Sequence, residues 1–515
     1  MRGQPLRRRD VLTGLGALGL ASTVTAAARG GVGIPALDVA AQVRRRAIAL
    51  ARGAFVPPTE RLPPAMAAMG YDEYRDLRFR PDKAVWHGLG LGFELQFFPT
   101  AYIYRSPVEI YLVEQGSILQ VAAARGLFDF SLQDHRVPLN APLSFSGFRI
   151  HAPLNDPDRY DEFLVFQGSS YFRGLGKGHS YGLSARGLAI STGSPRPEEF
   201  PLFRAFWIER PRQAQSITVH ALLDSASVAG AYTFQIWPGA ETRMDVAAEL
   251  FPRCDLTDVG LAPLTSMFLK DTHDDDGPPD FRPAVHDSDG LAVWNAHGER
   301  LWRPLVSPQQ VQNTTIVEDK LRGFGLIQRA RSFATYEDLE ANYHTRPSAW
   351  VEPRKAWGDG AVQLVELPAN EEYFDNIVAF WRPIAGLKAG VPYAYAYRLT
   401  WANDTPAWRG YRVVKTRVGR AITPHHVRFI VDFAQTGRRA DFEEATASRV
   451  RDPTASVRAS HGVAGRTHVQ RNPYTGGVRL SFEFDPAAAG RSDLRLDLEF
   501  LDGVSSESWR YRWLR

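Results

Sequence analysis

The chain has very little cysteine: Cys254 is the only one among 515 residues. A single thiol cannot form an intramolecular disulfide, so no disulfide framework can stabilise this fold, even in an oxidising compartment. The protein must instead depend on the burial of apolar side chains. A chain of this length is long enough to do so in two domains.

Long apolar runs are also scarce. The one candidate follows Arg7, Arg8 and Arg9, where a stretch rich in glycine, alanine and leucine, 11–28, closes on small residues. This stretch is too short for a membrane span and is typical of a cleavable leader with a twin-arginine entrance. We expect cleavage near Ala28, export to the periplasm and no stable membrane insertion of the mature chain. A buried N-terminal helix and export by the general secretory route are the alternatives.

An excess of positive charge is nearly absent once this leader is removed. The whole chain carries a net charge of +4 and has a pI near 9.0. Segment 1–28 holds four arginines and one aspartate, so its removal leaves the mature chain at +1. No basic field remains to attract a polyanion, and we predict that nucleic acid is not a partner.

Several common active-site signatures are missing. Ser184 lacks the second glycine of a nucleophile elbow, and the glycine triplets in 88–92 and 174–178 lack the dinucleotide-binding spacing. The acidic run 271–277 does not alternate as a calcium loop does, and the 13 histidines show no zinc-binding spacing. We therefore predict no metal, no cofactor and no serine hydrolase.

Short strand-like runs are abundant. Only one early segment, 37–50, has clear helical spacing, and Gly53 and Pro57 follow it. Beyond it, runs rich in aromatic and β-branched residues are separated by Gly, Pro, Asn and Asp, at 94–98, 110–113, 163–167, 216–222, 232–237 and 393–401. This pattern predicts an all-β fold of stacked antiparallel sheets with a helix packed outside one of them.

The period of two is cleanest near the C-terminus. Apolar residues alternate with polar ones over 478–484 and again over 494–500, as in strands with one solvated face. We predict a small separate β-sandwich at 415–515, a linker at 403–414 and a large β-sandwich domain at 35–402.

Residues suited to a sugar site occur together in 343–382. Such a site needs aromatic faces, polar side chains for hydroxyls and, for cleavage, two carboxyl groups. The same residue types stabilise any large β-protein, so a structural role stays open, and Glu352 could be an ion partner of Arg346 or Arg354. The candidate sugar-binding residues are Tyr343, Arg346, Trp350, Glu352, Trp357 and Trp381.

Eight collinear blocks resemble the glucans biosynthesis protein D/G (OpgD/OpgG) family. They lie at 170–173, 181–190, 222–227, 265–268, 285–289, 323–326, 346–354 and 375–381, and the resemblance continues to 507–509. The twin-arginine leader favours the D branch over the G branch. The resemblance implies a large N-terminal antiparallel β-sandwich with a cleft and a C-terminal immunoglobulin-like β-sandwich.

The same resemblance implies control of the backbone structure of osmoregulated periplasmic glucans by inverting cleavage of β-1,2-glucan. Asp375, in the Asp-Asn-Ile motif, matches the general acid. Asp287, in the His-Asp-Ser-Asp motif, matches the general base, which acts through a relay of water and a substrate hydroxyl. Tyr343 matches a tyrosine that lines the site. Each aspartate could instead be a turn residue that precedes a strand.

The chain departs from the glucanase relatives at 408–433, which is compact where they carry a longer loop. If that loop covers the relay in hydrolases, its shortening puts the reaction outcome in question. Two alternatives therefore stand beside hydrolysis: a β-1,2-glucan transglycosylase, and a non-catalytic glucan-binding component of the synthesis machinery. The sequence leaves the quaternary state open and is compatible with a homodimer.

Overall fold

The structure, a computed structural model, describes residues 34–35, 38–60, 62–132, 137–274, 280–436, 453–500 and 503–515. The predicted leader, 1–28, lies outside the described residues. Strands dominate the described chain, and the prediction of an all-β fold is confirmed. The helical segments are Val39–Ala51, Pro64–Ala67 and Tyr71–Arg75, with single 3-10 turns at Pro81–Lys83, Arg125–Leu127, Phe333–Thr335 and Tyr343–Thr345.

The largest sheet has fifteen strands. Its described pairs are antiparallel except for two parallel pairs, one of which joins Arg300–Pro304 to the C-terminal strand. In spatial order the strands are Ile34–Pro35, Ser117–Gln120, Glu109–Glu114, Leu202–Glu209, Ile217–Asp224, Val228–Trp237, Thr242–Pro252, Tyr393–Ala402, Ser348–Pro353, Leu321–Ile327, Gly290–Asn295, Arg300–Pro304, Ser508–Leu514, Arg491–Glu499 and Thr454–Ala459.

A ten-stranded antiparallel sheet faces part of the largest one. Its strands run in the order Gln312–Glu318, Gly360–Glu366, Ile377–Pro383, Val259–Ser266, Ser184–Arg186, Tyr171–Gly174, Arg159–Gln167, Phe145–Asp156 and Glu94–Pro99, and Leu188–Ile190 also pairs with Val259–Ser266. Two short antiparallel pairs form separate two-stranded sheets, Phe268–Lys270 with Val285–His286 and Arg78–Phe79 with Phe128–Asp129.

Alternation of side chains along the strands builds the core between these sheets. In Val228–Trp237 the inward residues Tyr232, Phe234 and Ile236 are at most 1% exposed. Phe234 meets Phe166 of the ten-stranded sheet at 5.3 Å between ring centroids, and Phe172 meets Trp401 at 6.0 Å. Each run predicted as a strand from the sequence overlaps one of these strands, although the strands that contain 163–167 and 232–237 begin four residues earlier, at Arg159 and Val228.

The predicted outer helix is present as Val39–Ala51. The side chain of Asp38 accepts a hydrogen bond from the backbone N–H of Ala41 at 2.9 Å, which caps the first turn. The buried face of the helix, which includes Val43 and Ala47, packs on Trp207 and its neighbours on the outer side of the largest sheet. The helix therefore covers that sheet from outside, as the spacing of its apolar residues predicts.

The C-terminal strands form a second layered unit. A five-stranded sheet, made of Tyr411–Arg420, Val427–Gln435, Gly477–Asp485, Val463–Ala464 and His468–Asn472, shares a core with the last three strands of the largest sheet. The strand that starts at Tyr411 lies partly within the predicted linker 403–414, because Tyr411 already pairs with Gln435. The predicted domain boundaries and the immunoglobulin-like layout remain predictions.

Candidate functional site

A cavity of about 590 Å³ opens beside the ten-stranded sheet, which is a volume typical of small-ligand sites. Its walls carry both aromatic rings and charged groups, a combination that suits a ligand with apolar faces and hydroxyls. The polar and aromatic lining includes Tyr104, Glu162, Tyr171, Arg173, Tyr181 and Asp375.

Asp375 reaches this cavity from the segment just before the strand Ile377–Pro383. The turn itself is held by Asn376, whose side-chain Oδ1 accepts a hydrogen bond from the backbone N–H of Phe268 and whose Nδ2 donates to the carbonyl of Phe268, both at 2.9 Å. Asn376 also donates to the carbonyl of Leu367 at 3.1 Å. Because Asn376 supplies these structural contacts, the Asp375 carboxyl is left to face the cavity.

The surroundings of Asp375 raise its pKa above that of an ordinary aspartate. The main cause is burial, and the nearby charge of Asp287 adds to it, while the positive charges of Arg173, Arg186 and Arg346 act in the opposite direction. The Asp375 side chain is still 30% exposed. The carboxyl can be both largely surrounded by protein and partly exposed, because a residue in a cavity wall has protein on most sides and an open space on one side. Arg173, another residue of the cavity wall, approaches the carboxyl at 3.7 Å.

Asp287 follows the short strand Val285–His286, and its backbone N–H donates to the carbonyl of Met267 at 2.8 Å. Its side chain is almost completely buried and forms an ion pair with Arg346. The Arg346 guanidinium lies 4.2 Å from the centre of the Tyr343 ring, and its Nε and Nη2 donate to the carbonyl of Ala341. Arg346 therefore holds the Asp287 carboxylate in place, and the ring of Tyr343 packs against the Arg346 guanidinium.

Tyr343 itself is buried, at 1% exposure. Its hydroxyl donates a hydrogen bond to Glu372 Oε2 at 2.7 Å. Burial raises the pKa of the Tyr343 phenol, and the carboxylate of Glu372 raises it further, so the phenol stays protonated at neutral pH. With Arg346 over the ring, Tyr343 can offer its hydroxyl but not an open face for stacking on a sugar.

The three tryptophans predicted to bind sugar lie in the hydrophobic core. Trp350 and Trp381 are at most 1% exposed and Trp357 is 9% exposed. Trp350 packs against Trp294 at 4.9 Å, and Trp357 packs against Trp381 at 6.2 Å between ring centroids. The sequence-based assignment is corrected here, because these large apolar side chains gain more from burial than an exposed position would provide.

Glu352 also lies away from the cavity. It stands opposite Arg398 on the neighbouring strand Tyr393–Ala402. The hydrogen bond from Arg398 to Asp245 is the main cause of the raised pKa of Arg398, and the charge of Glu352 adds a smaller contribution. The two arginines considered as its partners are engaged elsewhere, Arg346 with Asp287 and Arg354 with Asp245 at 3.4 Å. The predicted sugar contact of Glu352 stays a prediction.

The sequence analysis did not identify two residues that are linked to Tyr343, namely Glu372, which accepts its hydroxyl hydrogen bond, and Arg282, which pairs with Glu372. Arg282 Nη1 donates to Glu372 at 2.5 Å and to Asp338 at 2.8 Å, while its Nη2 donates to Asp280 at 2.7 Å. Only Asp280 is close to Arg282 in the chain. A signal was present in the Asp280-x-Arg282 spacing, but the other two carboxylates come from loops far along the sequence.

Among the residues that the structure describes, no group of three or more His, Cys, Asp or Glu side chains is arranged to hold a metal ion. The helices in the described part of the chain include none that is long and apolar enough to cross a membrane. The absence of metal and cofactor remains a prediction from the sequence.

Comparison with known proteins gives matches over nearly the whole chain. The family model described as "Periplasmic glucan biosynthesis protein, MdoG" matches residues 39–513. "Glucans biosynthesis protein G" of Vibrio cholerae serotype O1 is 46% identical over 478 residues, which cover 92% of this chain and 86% of the relative. The protein of the same name from Shewanella frigidimarina is 45% identical over 483 residues, or 92% of this chain and 84% of the relative.

Among solved structures, a GH36 alpha-galactosidase from Geobacillus stearothermophilus in complex with stachyose matches with a TM-score of 0.25 and 10% identity, over 50% of this chain and 40% of that chain. A likeness this low carries no argument about fold or function. The two relatives described above bear the protein G name, and the expectation that this chain is more like the D branch remains a prediction.

Proposed function

This chain belongs to the MdoG family of periplasmic glucan biosynthesis proteins, and on that premise we propose that it cleaves the β-1,2-glucan backbone with inversion at the anomeric carbon. A role in glucan biosynthesis follows from the family. The reaction rests on the chemistry of the two aspartates, and Asp375 carries most of the argument.

The observation that supports an acid role is the raised pKa of Asp375 at the wall of the cavity. A carboxyl with a raised pKa keeps its proton nearer to neutral pH and can give it to the departing glycosidic oxygen. As that proton is transferred, the bond between the anomeric carbon and the glycosidic oxygen breaks, and the electron pair stays with the oxygen.

The base in this proposal is Asp287. Its side chain is only 6% exposed, so direct access to bulk water is poor. This burial supports an indirect route, in which the attacking water gives its proton to a hydroxyl of the substrate and that hydroxyl gives its own to Asp287. The water oxygen bonds to the anomeric carbon on the face opposite the leaving group, so the product anomer is inverted.

Transfer to a sugar acceptor is the second candidate, because the segment after Trp408 is compact. Two antiparallel strands, Tyr411–Arg420 and Val427–Gln435, occupy it, and the connection 421–426 between them is short. If no long loop from this segment shields the relay, an acceptor hydroxyl can compete with water for the anomeric carbon. The chemistry at Asp375 is the same in both reactions.

We further propose that the protein acts in the periplasm after export by the twin-arginine route. The support is the family to which the chain belongs and the Arg8-Arg9 pair before the small-residue stretch that ends at Ala28.

The deciding experiment is incubation of the purified protein with linear β-1,2-glucan, followed by measurement of product size and anomeric configuration over time. Hydrolysis predicts shorter linear oligosaccharides with the inverted configuration. Cyclic or branched products would indicate transfer instead. Retained configuration in the first products would contradict the roles of both aspartates, and glucan binding without any product would favour the non-catalytic alternative.

A further inference from the structure

An exposed aromatic pair directly precedes Asp375. Tyr373 is 73% exposed and Phe374 is 53% exposed, and their ring centroids are 4.5 Å apart. Neither ring takes part in the hydrophobic core clusters of the described chain. Exposed apolar rings that lie together, rather than scattered singly, are typical of binding surfaces.

A third ring comes from a different loop. Phe281 is 83% exposed, and the neighbouring guanidinium of Arg282 lies 5.6 Å from the centre of its ring. Because Arg282 also donates to Glu372 at 2.5 Å, the loop that carries Phe281 is joined to the loop that carries Tyr373 and Phe374. We call these three residues, Phe281, Tyr373 and Phe374, the aromatic rim.

The aromatic rim adjoins Asp375 along the chain but is not part of the cavity wall. Asp375 is a lining residue of the cavity, whereas none of the rim residues lines it, nor does Glu372. The carboxyl proposed as the acid therefore stands at the boundary between two surfaces that differ in character. One is the cavity, with its polar and aromatic walls, and the other is an exposed aromatic surface.

The loops beneath the aromatic rim are held in place by charge. Arg282 forms ion pairs with Asp280, Asp338 and Glu372, and its own side chain is only 12% exposed. Glu372 in turn accepts the hydroxyl hydrogen bond of Tyr343. A surface that is ordered before the ligand arrives loses less conformational entropy on binding than a mobile one.

We propose that the aromatic rim is a second carbohydrate-binding surface, which takes the glucose rings on the far side of the scissile bond from those held in the cavity. The inference rests on the proposed function, since it assumes that glucan lies across Asp375. The apolar C–H face of a pyranose ring packs on an aromatic face, and its hydroxyls remain in water at so exposed a site. A chain bound on both sides of Asp375 is cut internally rather than at its end.

The test measures binding in the Asp375→Asn background, so that turnover does not consume the ligand. Linear β-1,2-glucan is titrated calorimetrically into this protein and into the same protein with Tyr373→Ala and Phe374→Ala added. We expect the added pair of substitutions to raise Kd by roughly 3- to 10-fold. Both side chains are exposed, so the melting temperature should stay nearly unchanged.

The matched control is Tyr474→Ala in the same background, because Tyr474 is an equally open ring, 84% exposed, in a turn of the C-terminal unit. Its Kd should equal that of Asp375→Asn alone. An unchanged Kd in the Tyr373→Ala, Phe374→Ala protein would overturn the inference, and so would an equal loss in the Tyr474→Ala protein; the proposed function would stand in both cases. Failure of the wild-type protein to bind or convert the glucan would instead overturn the proposed function itself.

Discussion

At the scale of single residues, the chemistry depends on a proton that Asp375 can hold and release. Asp375→Asn keeps the shape of the side chain but removes the acidic proton, so we expect turnover of β-1,2-glucan to fall by roughly 10²-fold or more. Binding of the glucan should persist, since no cavity wall is lost. Initial rates and calorimetric Kd values for the two proteins measure both quantities, and near-normal turnover in the variant would remove Asp375 from the mechanism.

The raised pKa of Asp375 also affects stability. The folded protein holds the Asp375 proton more tightly than the unfolded chain, so the stability contributed by this group is fully present below the unfolded pKa, about 3.9. It is lost as the pH rises from there through the folded pKa, because the buried site disfavours the charged form. Above the folded pKa the loss is constant.

Asp375→Asn avoids this loss because asparagine does not ionise. We therefore expect the variant to have a higher free energy of unfolding than the wild type at pH 7, and the difference to shrink as the pH falls toward 4. Urea unfolding curves at a series of pH values measure it. A difference that does not change with pH would mean that the substitution acts through packing rather than through the charge.

At the scale of elements, a buried ion pair joins the large sheet to the C-terminal unit. Glu507 precedes the last strand and accepts two hydrogen bonds from Arg329, at 2.8 and 2.6 Å, and one from the backbone N–H of Val413 at 2.8 Å. Both side chains are at most 3% exposed. A buried ion pair of this kind ties the two units together because neither charge can return to water without separating them.

Glu507→Gln keeps the size of the side chain but leaves the buried Arg329 without its counter-charge. We expect the free energy of unfolding to fall by about 3–5 kcal/mol. Urea denaturation measures this change, with Asp493→Asn as the control. Asp493 pairs with Arg512 at 2.7 Å but is 52% exposed, so its loss should matter by less than about 1 kcal/mol. Equal effects of the two substitutions would contradict a special role for the buried pair.

At the scale of the whole molecule, the first question is where the protein acts. If export uses the twin-arginine route, replacing Arg8 and Arg9 with lysine should leave the precursor in the cytoplasm and sharply lower the periplasmic amount. Cell fractionation followed by immunoblotting compares the two forms. An undiminished periplasmic yield of the lysine variant would show that another export route serves this protein.

Much of the architecture could be predicted from the sequence. The helix at Val39–Ala51, the strands such as Val228–Trp237 and the all-β class follow from local periodicity, which reflects the backbone geometry of each element. The family was also recognisable, because its motifs are short runs of adjacent residues. The roles of Asp375 and Asp287 within those motifs are predictions from the sequence.

Only the tertiary structure decided which of these residues meet. The sequence suggested that Trp350 and Trp381 bind sugar, yet both side chains are buried. A strand that is covered on both faces buries all of its side chains, so the alternation of residues along it does not distinguish a core position from an exposed one. The ion pair of Arg346 with Asp287 and that of Arg282 with Glu372 join segments far apart in the chain. The order and register of the strands determine such contacts, and the local patterns that identify each strand carry no information about them.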